Sequence, residues 1–441
     1  MSFGIFNSTF NKRGYVDPHF EDVWGERHTL ECWFQVEAAL AGVQAELGII
    51  PEQAARHIQA SATVTEKLLS EVSNGGGGNP LIVGLDAIRT AVGKEYRGWV
   101  HYGATSQDIL DTARALQIKE SLEIFQSNLN SIIASVQQLA HQHAHTLMVA
   151  RTNGQHALPT TLGTRFARWL TALKADVRRI NSCQEDALSI QFSGAAGTYA
   201  STGTLGPKIA QRLSETLGLT YRFVPWHADR SAITELCTMM AIHGQNLAKI
   251  AEDLFDMQRN EIGEAHEMMD AHLSGSSAMP QKKNPFSTMK ISVAGRIAAG
   301  AAATLLTQPP AAHERDHRQL EVERDLLPRT LIAVEGAQRK LLALLPNLVF
   351  DVEQLAANLC YEGPLILTEH ILMELAPTLG HEKAHDVLQE FASRYRESHI
   401  SLQQFVNERP ELQAALKDVD LDSLLAPDNY IGLSEEISLA Q

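Results

Sequence analysis

The stretch from residue 275 to residue 285 contains the most chemically informative residues of the chain. It reads Gly-Ser-Ser-Ala-Met-Pro-Gln-Lys-Lys-Asn-Pro, so a glycine and two small hydroxyl residues precede a cation and an amide. Glycine lets the backbone approach a ligand closely, and Pro285 suits the first turn of a helix. A serine, Lys282, Asn284 and a helix N-terminus would then surround one anionic group. The simpler alternative is an ordinary flexible loop before a helix.

A second polar segment, His101-Tyr-Gly-Ala-Thr-Ser-Gln-Asp108, comes directly before a long helical pattern. Thr105 or Ser106 suits the N-cap of that helix, and Asp108 suits its first turn. A plain helix cap without a catalytic role is the alternative for this segment on its own.

A third segment, Arg151-Thr-Asn-Gly-Gln-His-Ala-Leu-Pro-Thr-Thr161, again places threonine and glutamine beside a predicted helix start. Thr152 and Gln155 are its candidate binding residues. Three helix N-termini of this kind could converge on one dianion, because backbone N–H groups and helix dipoles bind carboxylates without net positive charge. We therefore expect a small anionic substrate, a di- or tricarboxylate.

Helical periodicity predicts the elements that must position these segments. Two heptad seams favour long helices packed in a bundle, and a coiled-coil rod is the alternative. The first seam consists of Ile118, Leu122, Phe125, Leu129, Ile132, Val136 and Leu139. The second consists of Leu236, Met240, Leu247, Ile250, Leu254 and Met257, with His243 in its gap. Strand signals are scarce, so we predict an all-α fold.

The chain divides by composition into three predicted domains. Residues 1–106 mix short helices and loops and include the glycine run Gly75–Gly78, residues 107–348 carry the long helices, and residues 349–441 form a smaller helical piece. A length of 441 residues is enough for a sizeable core in each of several domains.

Charge and composition exclude several classes of partner and compartment. The net charge of −15 argues against nucleic acid and against an anionic membrane. The four cysteines form no CxxC pair, which fits a reducing compartment. The N-terminus lacks the pattern of a signal peptide, and the apolar stretch Ile297–Leu306 is about half of a bilayer span. We expect a cytoplasmic protein.

The residues quoted so far belong to a wider set of stretches that resembles a known family. The others are Val36-Glu-Ala-Ala-Leu-Ala, Gly78-Asn-Pro-Leu-Ile-Val, Gly194-Ala-Ala-Gly-Thr, Pro225-Trp-His, His313-Glu-Arg and Leu425-Ala-Pro-Asp-Asn-Tyr-Ile-Gly. Together they resemble the class-II branch of the fumarase/aspartase superfamily, which holds 3-carboxy-cis,cis-muconate cycloisomerases and adenylosuccinate lyases. The resemblance implies an all-α, cofactor-free and metal-free homotetramer. Its long helices would pool into a central bundle, and its active sites would be shared between subunits.

The resemblance also implies roles for individual residues. Ser276 matches the general base that removes the proton alpha to a carboxylate, and its alkoxide would be stabilised by loop N–H groups and Lys282. The charge of the resulting aci-carboxylate would be held by Lys282, Asn284, Thr105 and Ser106. Gln155 matches a position that orients the substrate, and Arg315 resembles an arginine that binds a substrate carboxylate.

Several positions depart from the patterns of the named relatives. Asn153 stands where adenylosuccinate lyases carry a histidine, their usual general acid, and where the cycloisomerases carry tryptophan. Asparagine cannot donate a proton at neutral pH, so the acid lies elsewhere or is unnecessary, and His101 and His156 are the nearest candidates. The stretch 313–324 lacks the serines that help adenylosuccinate lyases hold a phosphate, and it lacks the tryptophans of the cycloisomerases. Gln281-Lys282-Lys283 is closer to argininosuccinate lyases.

These observations favour a lyase that performs anti β-elimination on an N-substituted aspartate or another succinyl compound and releases fumarate. A cycloisomerase that closes a carboxymuconate lactone is the alternative. His313-Glu-Arg-Asp-His317 also satisfies HExxH, so a zinc metallopeptidase is a remote third possibility, which would need both histidines on one helix face. A catalytically silent scaffold remains a further hypothesis, against which the intact Ser276, Lys282 and Asn284 argue.

Overall fold

The computed structural model describes residues 4–74, 79–268, 276 and 278–440. Gly75–Gly78, Gly275 and Ser277, which the sequence analysis singled out, lie outside the described residues. The described part is all-α with a few short strands, as predicted.

The helices are numbered here in chain order. They are α1 (Pro18–Val23), α2 (Glu26–Glu46), α3 (Glu52–Ser61), α4 (Glu66–Ser73), α5 (Pro80–Ala91), α6 (Gly93–Tyr96), α7 (Ser106–Gln142), α8 (Leu162–Ala187), α9 (Gly206–Leu217), α10 (Ser231–Met257), α11 (Phe286–Thr307), α12 (His317–Leu344), α13 (Val352–Leu359), α14 (Thr368–Leu379), α15 (His381–Ser398), α16 (Leu402–Asn407), α17 (Pro410–Ala415), α18 (Leu421–Leu424) and α19 (Ser434–Leu439). Short 3-10 turns occupy Lys12–Gly14, Arg97–Trp99, Gly203–Leu205, Leu345–Asn347, Gly363–Leu367 and Pro427–Tyr430. The strands are β1 (Leu147–Thr152), β2 (Gln155–Thr161), β3 (Ala265–Glu267) and β4 (Leu348–Phe350), paired antiparallel as β1–β2 and β3–β4.

Both predicted heptad seams are buried faces of long helices. On α7, which has 37 residues, every position of the first seam is buried except Leu139, which is half-buried. On α10 the whole second seam is buried, including His243. That histidine is satisfied inside the core, because its Nδ1 lies 2.8 Å from Asp176 and Gln338 donates to its Nε2 at 2.9 Å. The polar residue in the gap of the seam is therefore structural.

The chain folds into two compact units, each assembled from three stretches. Unit 1 comprises Met1–Ser131, Leu173–Ala251 and Ser287–Ala343, and unit 2 comprises Ile132–Ala172, Glu252–Phe286 and Leu344–Gln441. The three-domain division at residues 106/107 and 348/349 follows composition along the chain and stays a prediction.

Unit 1 contains a large apolar core and a close helix crossing. Its core cluster packs α2, α3, α5 and α9 with the start of α7. At the crossing of α10 and α11, a Cβ on Gly295 would lie 2.4 Å from the carbonyl oxygen of Gly244, so only glycine allows this approach. Gln245 donates to the Gly295 carbonyl at 2.8 Å, which satisfies that oxygen at the contact.

A buried charge cluster fixes the N-terminal half of α7 within unit 1. Arg230 donates to Asp111 at 2.8 Å and to Glu323 at 2.9 Å, and Arg114 donates to Glu323 at 3.0 Å. All of these side chains are at most 10% exposed. Because each buried charge has a partner of opposite sign, the cluster ties α7 to α12 and to the start of α10 without leaving an uncompensated ion.

Unit 2 contains the two small sheets and a C-terminal group of helices. The helices α14 to α17 share one apolar cluster around Phe391 and Phe405. A second cluster packs Val149 of β1 against Leu359 of α13 and against Ile366 and Leu367. The β1–β2 hairpin is thereby fixed to the segment that follows α13.

Helix α11 is, among the described residues, the one helix long and apolar enough to cross a membrane by length and composition. The apolar stretch Ile297–Leu306 is its C-terminal part, so the segment is longer than the sequence analysis counted. Of its most apolar window, 44% is buried inside the structure. The helix also carries Lys290 and Arg296. A buried core helix can have the same length and composition, so no membrane assignment follows.

Candidate active site

The loop before α11 folds its own backbone around the hydroxyl of Ser276. The N–H of Met279 donates to Ser276 Oγ at 3.1 Å, and the N–H of Ala278 donates to it at 3.4 Å. Lys282 then turns the chain by donating its N–H to the Met279 carbonyl at 3.0 Å. Two donors directed at one hydroxyl oxygen stabilise negative charge on that oxygen, as an alkoxide requires.

The same loop borders a cleft of about 970 Å³ in unit 2. The cleft lies between the loop, the end of α10 and β3, and its lining includes Phe255, Gln258, Arg259, Asn260, Glu261, Gly263, His266, Glu267, Met268, Met279, Gln281, Lys282, Lys283, Asn284 and Pro285. Lys282 and Lys283 are exposed, and neither ammonium group has an ion-pair partner among the described residues. In the described part of the cleft, these two ammonium groups are therefore available to an anion, although Glu261 and Glu267 also line it.

Helix α11 begins at Phe286, so Pro285 stands just before the helix rather than in its first turn. The predicted helix start after the loop is confirmed within one residue. Phe286 donates its N–H to the carbonyl of Asn284 at 2.9 Å, which directs the chain from the loop into the helix. Arg259 and His266 also line the cleft, and neither was predicted from the sequence because no motif surrounds them. Arg259 follows the end of the second heptad seam, which was its only available signal, and His266 lies on the short strand β3.

The segment from Arg151 to Thr161 is a β-hairpin, so the predicted helix start beside Thr152 and Gln155 is wrong. The two strands are joined by Asn153 and Gly154, whose φ angles are 51° and 78°. Positive φ at both central residues is the geometry of a type I′ turn, for which Asn-Gly is the preferred sequence. That dipeptide was the signal that the sequence analysis overlooked. A helix does begin after Thr161, whose Oγ1 accepts the N–H of Thr164 at 3.2 Å.

The hairpin presents Thr152, Asn153 and Gln155 at an exposed tip. His156 lies beside this tip and packs edge-on against Tyr361, with ring centroids 5.8 Å apart. Its Nδ1 atom is buried and has no hydrogen-bond partner among the described residues. Burial lowers the pKa of His156, and the nearby Arg151 guanidinium lowers it further. A neutral imidazole accepts a proton more readily than it gives one, so His156 suits a base better than an acid.

In unit 1, the predicted start of the long helix α7 is confirmed. The helix begins at Ser106, and Asp108 accepts the N–H of Thr105 at 3.0 Å, as a first-turn carboxylate of a capping arrangement does. Ser106 Oγ accepts from the Asn79 side chain at 3.2 Å. Both hydroxyl residues are half-buried.

Asp108 is the buried centre of this segment. Besides Thr105, it accepts the N–H groups of Ser193 at 3.2 Å and Gly194 at 3.0 Å, and His227 Nε2 donates to it at 2.9 Å. These contacts give a structural role to two stretches whose role was not predicted from the sequence, Gly194-Ala-Ala-Gly-Thr and Pro225-Trp-His. Both stretches position the start of α7.

Arg315 joins the same group. Its guanidinium donates to Thr105 Oγ1 at 3.0 Å and to the carbonyl of Ala195 at 2.6 Å, and it forms no ion pair with a described residue. The structure thus brings Arg315 to Thr105 although the two lie 210 residues apart in the sequence. An arginine held by neutral acceptors keeps its charge for an external carboxylate.

The zinc metallopeptidase alternative fails on the same segment. His313 has a φ of 55° and lies in a turn, and α12 begins only at His317. The two histidines of HExxH therefore do not share a helix face, as the predicted metal site requires.

His101 completes the group in unit 1. Its Nδ1 lies 2.5 Å from Oε1 of Glu37, a carboxylate that is 1% exposed on α2. The predicted site residues thus fall into two groups. His101, Thr105, Ser106 and Arg315 belong to unit 1, and Thr152, Asn153, Gln155, His156, Ser276, Lys282 and Asn284 belong to unit 2.

Comparisons with known proteins define the class. A family model described as lyase matches residues 10–298, and one described as adenylosuccinate lyase C-terminus matches residues 364–438. The chain is an enzyme and belongs to the fumarase/aspartase superfamily, in its class-II branch.

Individual relatives are similar over nearly their whole length. The adenylosuccinate lyase of Pyrococcus horikoshii is 34% identical over 96% of this chain and 94% of its own. The N-acetyl-S-(2-succino)cysteine lyase of Dickeya dadantii is 31% identical over 94% of this chain and 92% of its own. The crystal structure of the 3-carboxy-cis,cis-muconate lactonizing enzyme from Pseudomonas putida superposes with a TM-score of 0.87 at 29% identity, covering 97% of both chains.

Proposed function

We propose that this enzyme is a cofactor-free lyase that cleaves a succinyl compound by anti β-elimination and releases fumarate. The observation that carries the proposal is the Ser276 hydroxyl with two N–H donors directed at it, in the loop that brings Lys282 and Asn284 to an open cleft. A serine is a weak base unless its alkoxide is stabilised, and this loop supplies that stabilisation. The relatives that cleave succinyl compounds support the same reaction class.

The reaction begins when Ser276 Oγ takes the proton alpha to a substrate carboxylate. The electron pair of the broken C–H bond moves into that carboxylate, which becomes a doubly charged aci-carboxylate. Lys282 and Asn284 hold this charge, together with the helix start at Thr105 and Ser106. Arg315 binds a second carboxylate, and Gln155 and Thr152 orient the substrate. Collapse of the aci-carboxylate expels the leaving group from the beta carbon and forms fumarate.

The leaving group is constrained by Asn153, which cannot supply a proton at neutral pH. Weakly basic leaving groups, such as a thiolate or a stabilised amine, therefore fit the site best unless His101 or His156 acts as the acid. The Dickeya dadantii relative is named for an S-(2-succino) thioether, which supports a thiolate. Adenylosuccinate fits less well, because residues 313–324 also lack phosphate-binding serines.

A substrate panel tests the proposal. The purified enzyme is incubated with N-acetyl-S-(2-succino)cysteine, adenylosuccinate, N-substituted aspartates and 3-carboxy-cis,cis-muconate, and fumarate or lactone formation is followed by absorbance. We expect fumarate release from a succinyl compound, and Ser276→Ala serves as the control for contaminating lyases. Faster conversion of 3-carboxymuconate than of every succinyl compound would instead establish the cycloisomerase, the second candidate, which the Pseudomonas putida structure supports. It would use the same carbanion chemistry in the direction of addition.

We also propose a cytoplasmic homotetramer whose active sites each take groups from more than one subunit. The two groups of candidate residues belong to different units of the chain, which is compatible with sites completed by neighbouring copies. Inactive Ser276→Ala and inactive Thr105→Ala/Ser106→Ala proteins are dissociated, mixed and reassembled. We expect recovery of activity, since some hybrid sites then combine only wild-type residues. Verified hybrids without any recovered activity would show that each subunit carries its own complete site.

A further inference from the structure

The buried carboxylate of Glu37 has no role in the proposed function so far. It lies on α2 between Val36 and Leu40, which are 0% and 1% exposed, and is itself 1% exposed. A carboxylate in such surroundings is costly unless a hydrogen-bonding cation or donor compensates it. Its side-chain partner in the described structure is His101, whose Nδ1 lies 2.5 Å from Glu37 Oε1. The fold therefore retains a buried carboxylate, Glu37, whose described side-chain partner is the His101 imidazole.

The backbone of His101 is also held in an uncommon conformation. Its φ is 65°, in the left-handed region that costs a residue with a side chain about 1 kcal/mol or more. Two neighbouring contacts hold the segment there. Gln44 donates to the Tyr102 carbonyl at 2.7 Å, and Ser201 donates to the Gly103 carbonyl at 2.9 Å. Backbone strain of this kind persists where surrounding contacts fix the conformation firmly. Here the strained backbone fixes the position of the His101 imidazole.

The pairing decides which nitrogen of His101 is available. An ionised carboxylate only accepts hydrogen bonds, so Nδ1 must carry a proton and donate it to Glu37. The second nitrogen, Nε2, makes no hydrogen bond with any described residue. The His101 side chain is 13% exposed, and it lies four residues before Thr105 in the same segment of unit 1. His156, the other candidate acid, has no hydrogen-bonded carboxylate partner among the described residues, and its lowered pKa favours the neutral ring.

We propose that Glu37 is a positioning residue that holds His101 by Nδ1, so that His101 Nε2 gives a proton to the leaving group. The proposal rests on the proposed elimination, since only an elimination has a leaving group. When the bond between the beta carbon and the leaving heteroatom breaks, the heteroatom keeps the electron pair and takes the Nε2 proton. His101 returns to the neutral form with its proton on Nδ1, and Glu37 remains ionised throughout.

Substitution at Glu37 tests the proposal. A glutamine at position 37 can turn its side-chain amide nitrogen towards Nδ1 of His101. The proton of the neutral imidazole then lies on Nε2 of His101, and the ring no longer has a carboxylate partner. We expect Glu37→Gln to lower kcat by about tenfold or more with KM nearly unchanged, because a general acid contributes about 10²–10⁴-fold. The loss should be greater with an amine leaving group than with a thiolate, which departs without a proton. Glu37→Asp, which keeps the charge, should retain more activity than Glu37→Gln.

A matched variant separates positioning from loosening of the segment. Gln44→Met lies on the same buried face of α2 and removes the hydrogen bond to the Tyr102 carbonyl without changing the partner of His101. It should lower stability without the dependence of kcat on the leaving group. If Glu37 acts through His101, the change Glu37→Gln should have little further effect in a His101→Asn background. Additive losses in the double variant, or a wild-type kcat in Glu37→Gln, would overturn the proposal.

Proton NMR of the wild-type enzyme gives a reading that is independent of turnover. The short Nδ1–H to carboxylate bond should produce a strongly downfield, exchange-protected proton resonance that is absent from His101→Asn. If no succinyl compound is cleaved but the resonance is present, the proposed elimination is wrong while the pairing stands. If a succinyl compound is cleaved and the resonance is absent from the wild type, the positioning role of Glu37 is wrong.

Discussion

The segment from His101 to Asp108 and the loop from Ser276 to Pro285 are held in opposite ways. The first is tied to side chains far away in the sequence, among them Glu37, His227 and Arg315. Among the described residues, the hydrogen bonds around Ser276 and Lys282 instead join neighbouring residues of the loop to one another. One segment is thus positioned by the tertiary fold, while the described hydrogen bonds of the other run along its own backbone.

This difference decides what substitutions in each segment should do. A residue whose partners lie in the buried core carries stability as well as position, so its loss should be felt in both. An exposed residue whose described partners lie within its own loop carries little stability, so its loss should affect chemistry more than folding. The predictions that follow separate these two outcomes, beginning with the largest expected effect.

Ser276→Ala should reduce kcat by about 10²-fold or more, because loss of a general base removes a contribution of about 10²–10⁴-fold. KM should change little, since the serine acts in the transition state rather than in substrate binding. Steady-state kinetics on the best succinyl substrate measure both constants. A variant that keeps more than about a tenth of the wild-type kcat would remove Ser276 from the mechanism.

Lys282→Met should lower kcat/KM by about 10²-fold, as removal of a group that stabilises developing charge does. Lys283→Met is the matched control, because the two lysines are adjacent, exposed and change the net charge equally. Neither change should shift the free energy of unfolding by more than about 0.5 kcal/mol. Equal losses of activity in the two variants would show that general positive potential, and not Lys282 itself, serves the reaction.

The same contrast explains what could be predicted from the sequence. The loop at 275–285 was recognisable because its chemistry is local, and the start of α7 followed from Thr105, Ser106 and Asp108 for the same reason. The heptad seams were readable because each buried position repeats along one helix face. The partners of Asp108, and the approach of Arg315 to Thr105, depend on contacts between residues about 80 to 210 positions apart, for which no periodic signal exists.

The hairpin at Arg151–Thr161 was missed for a different reason. Its signal, Asn153-Gly154 between two short strands, is local and was available, but the polar residues Thr152 and Gln155 were interpreted as lying beside a helix start. Thr161 does cap a helix, so the error concerned the ten residues before it and not the helix itself. A turn dipeptide such as Asn-Gly therefore predicts the local structure better than the composition of the residues around it.

Asp108→Asn should destabilise unit 1 by about 3 kcal/mol, because a buried carboxylate that accepts charge-assisted bonds would be replaced by an amide that opposes some of its donors. At least one of the Thr105, Ser193 or Gly194 N–H groups would then face the NH₂ group of asparagine. Chemical denaturation measures the change. A loss of activity at unchanged stability would show that Asp108 acts in the chemistry, contrary to its buried position at the base of the segment.

Asn153 gives the smallest predicted effect and separates two roles of one residue. Its φ of 51° requires a residue that tolerates the left-handed region, and its exposed amide could also donate to the substrate. Asn153→Gly keeps the turn, so the free energy of unfolding should stay within about 0.5 kcal/mol of the wild-type value, while KM should rise up to about tenfold through loss of one hydrogen bond.

Asn153→His should instead cost about 1 kcal/mol of stability, because histidine is strained at this φ more than asparagine. It should not create an adenylosuccinate lyase, since the phosphate-binding serines are missing as well. An unchanged KM in Asn153→Gly would mark Asn153 as a turn residue only, and wild-type cleavage of adenylosuccinate with kcat/KM of about 10⁴ M⁻¹s⁻¹ or above would contradict the substrate argument.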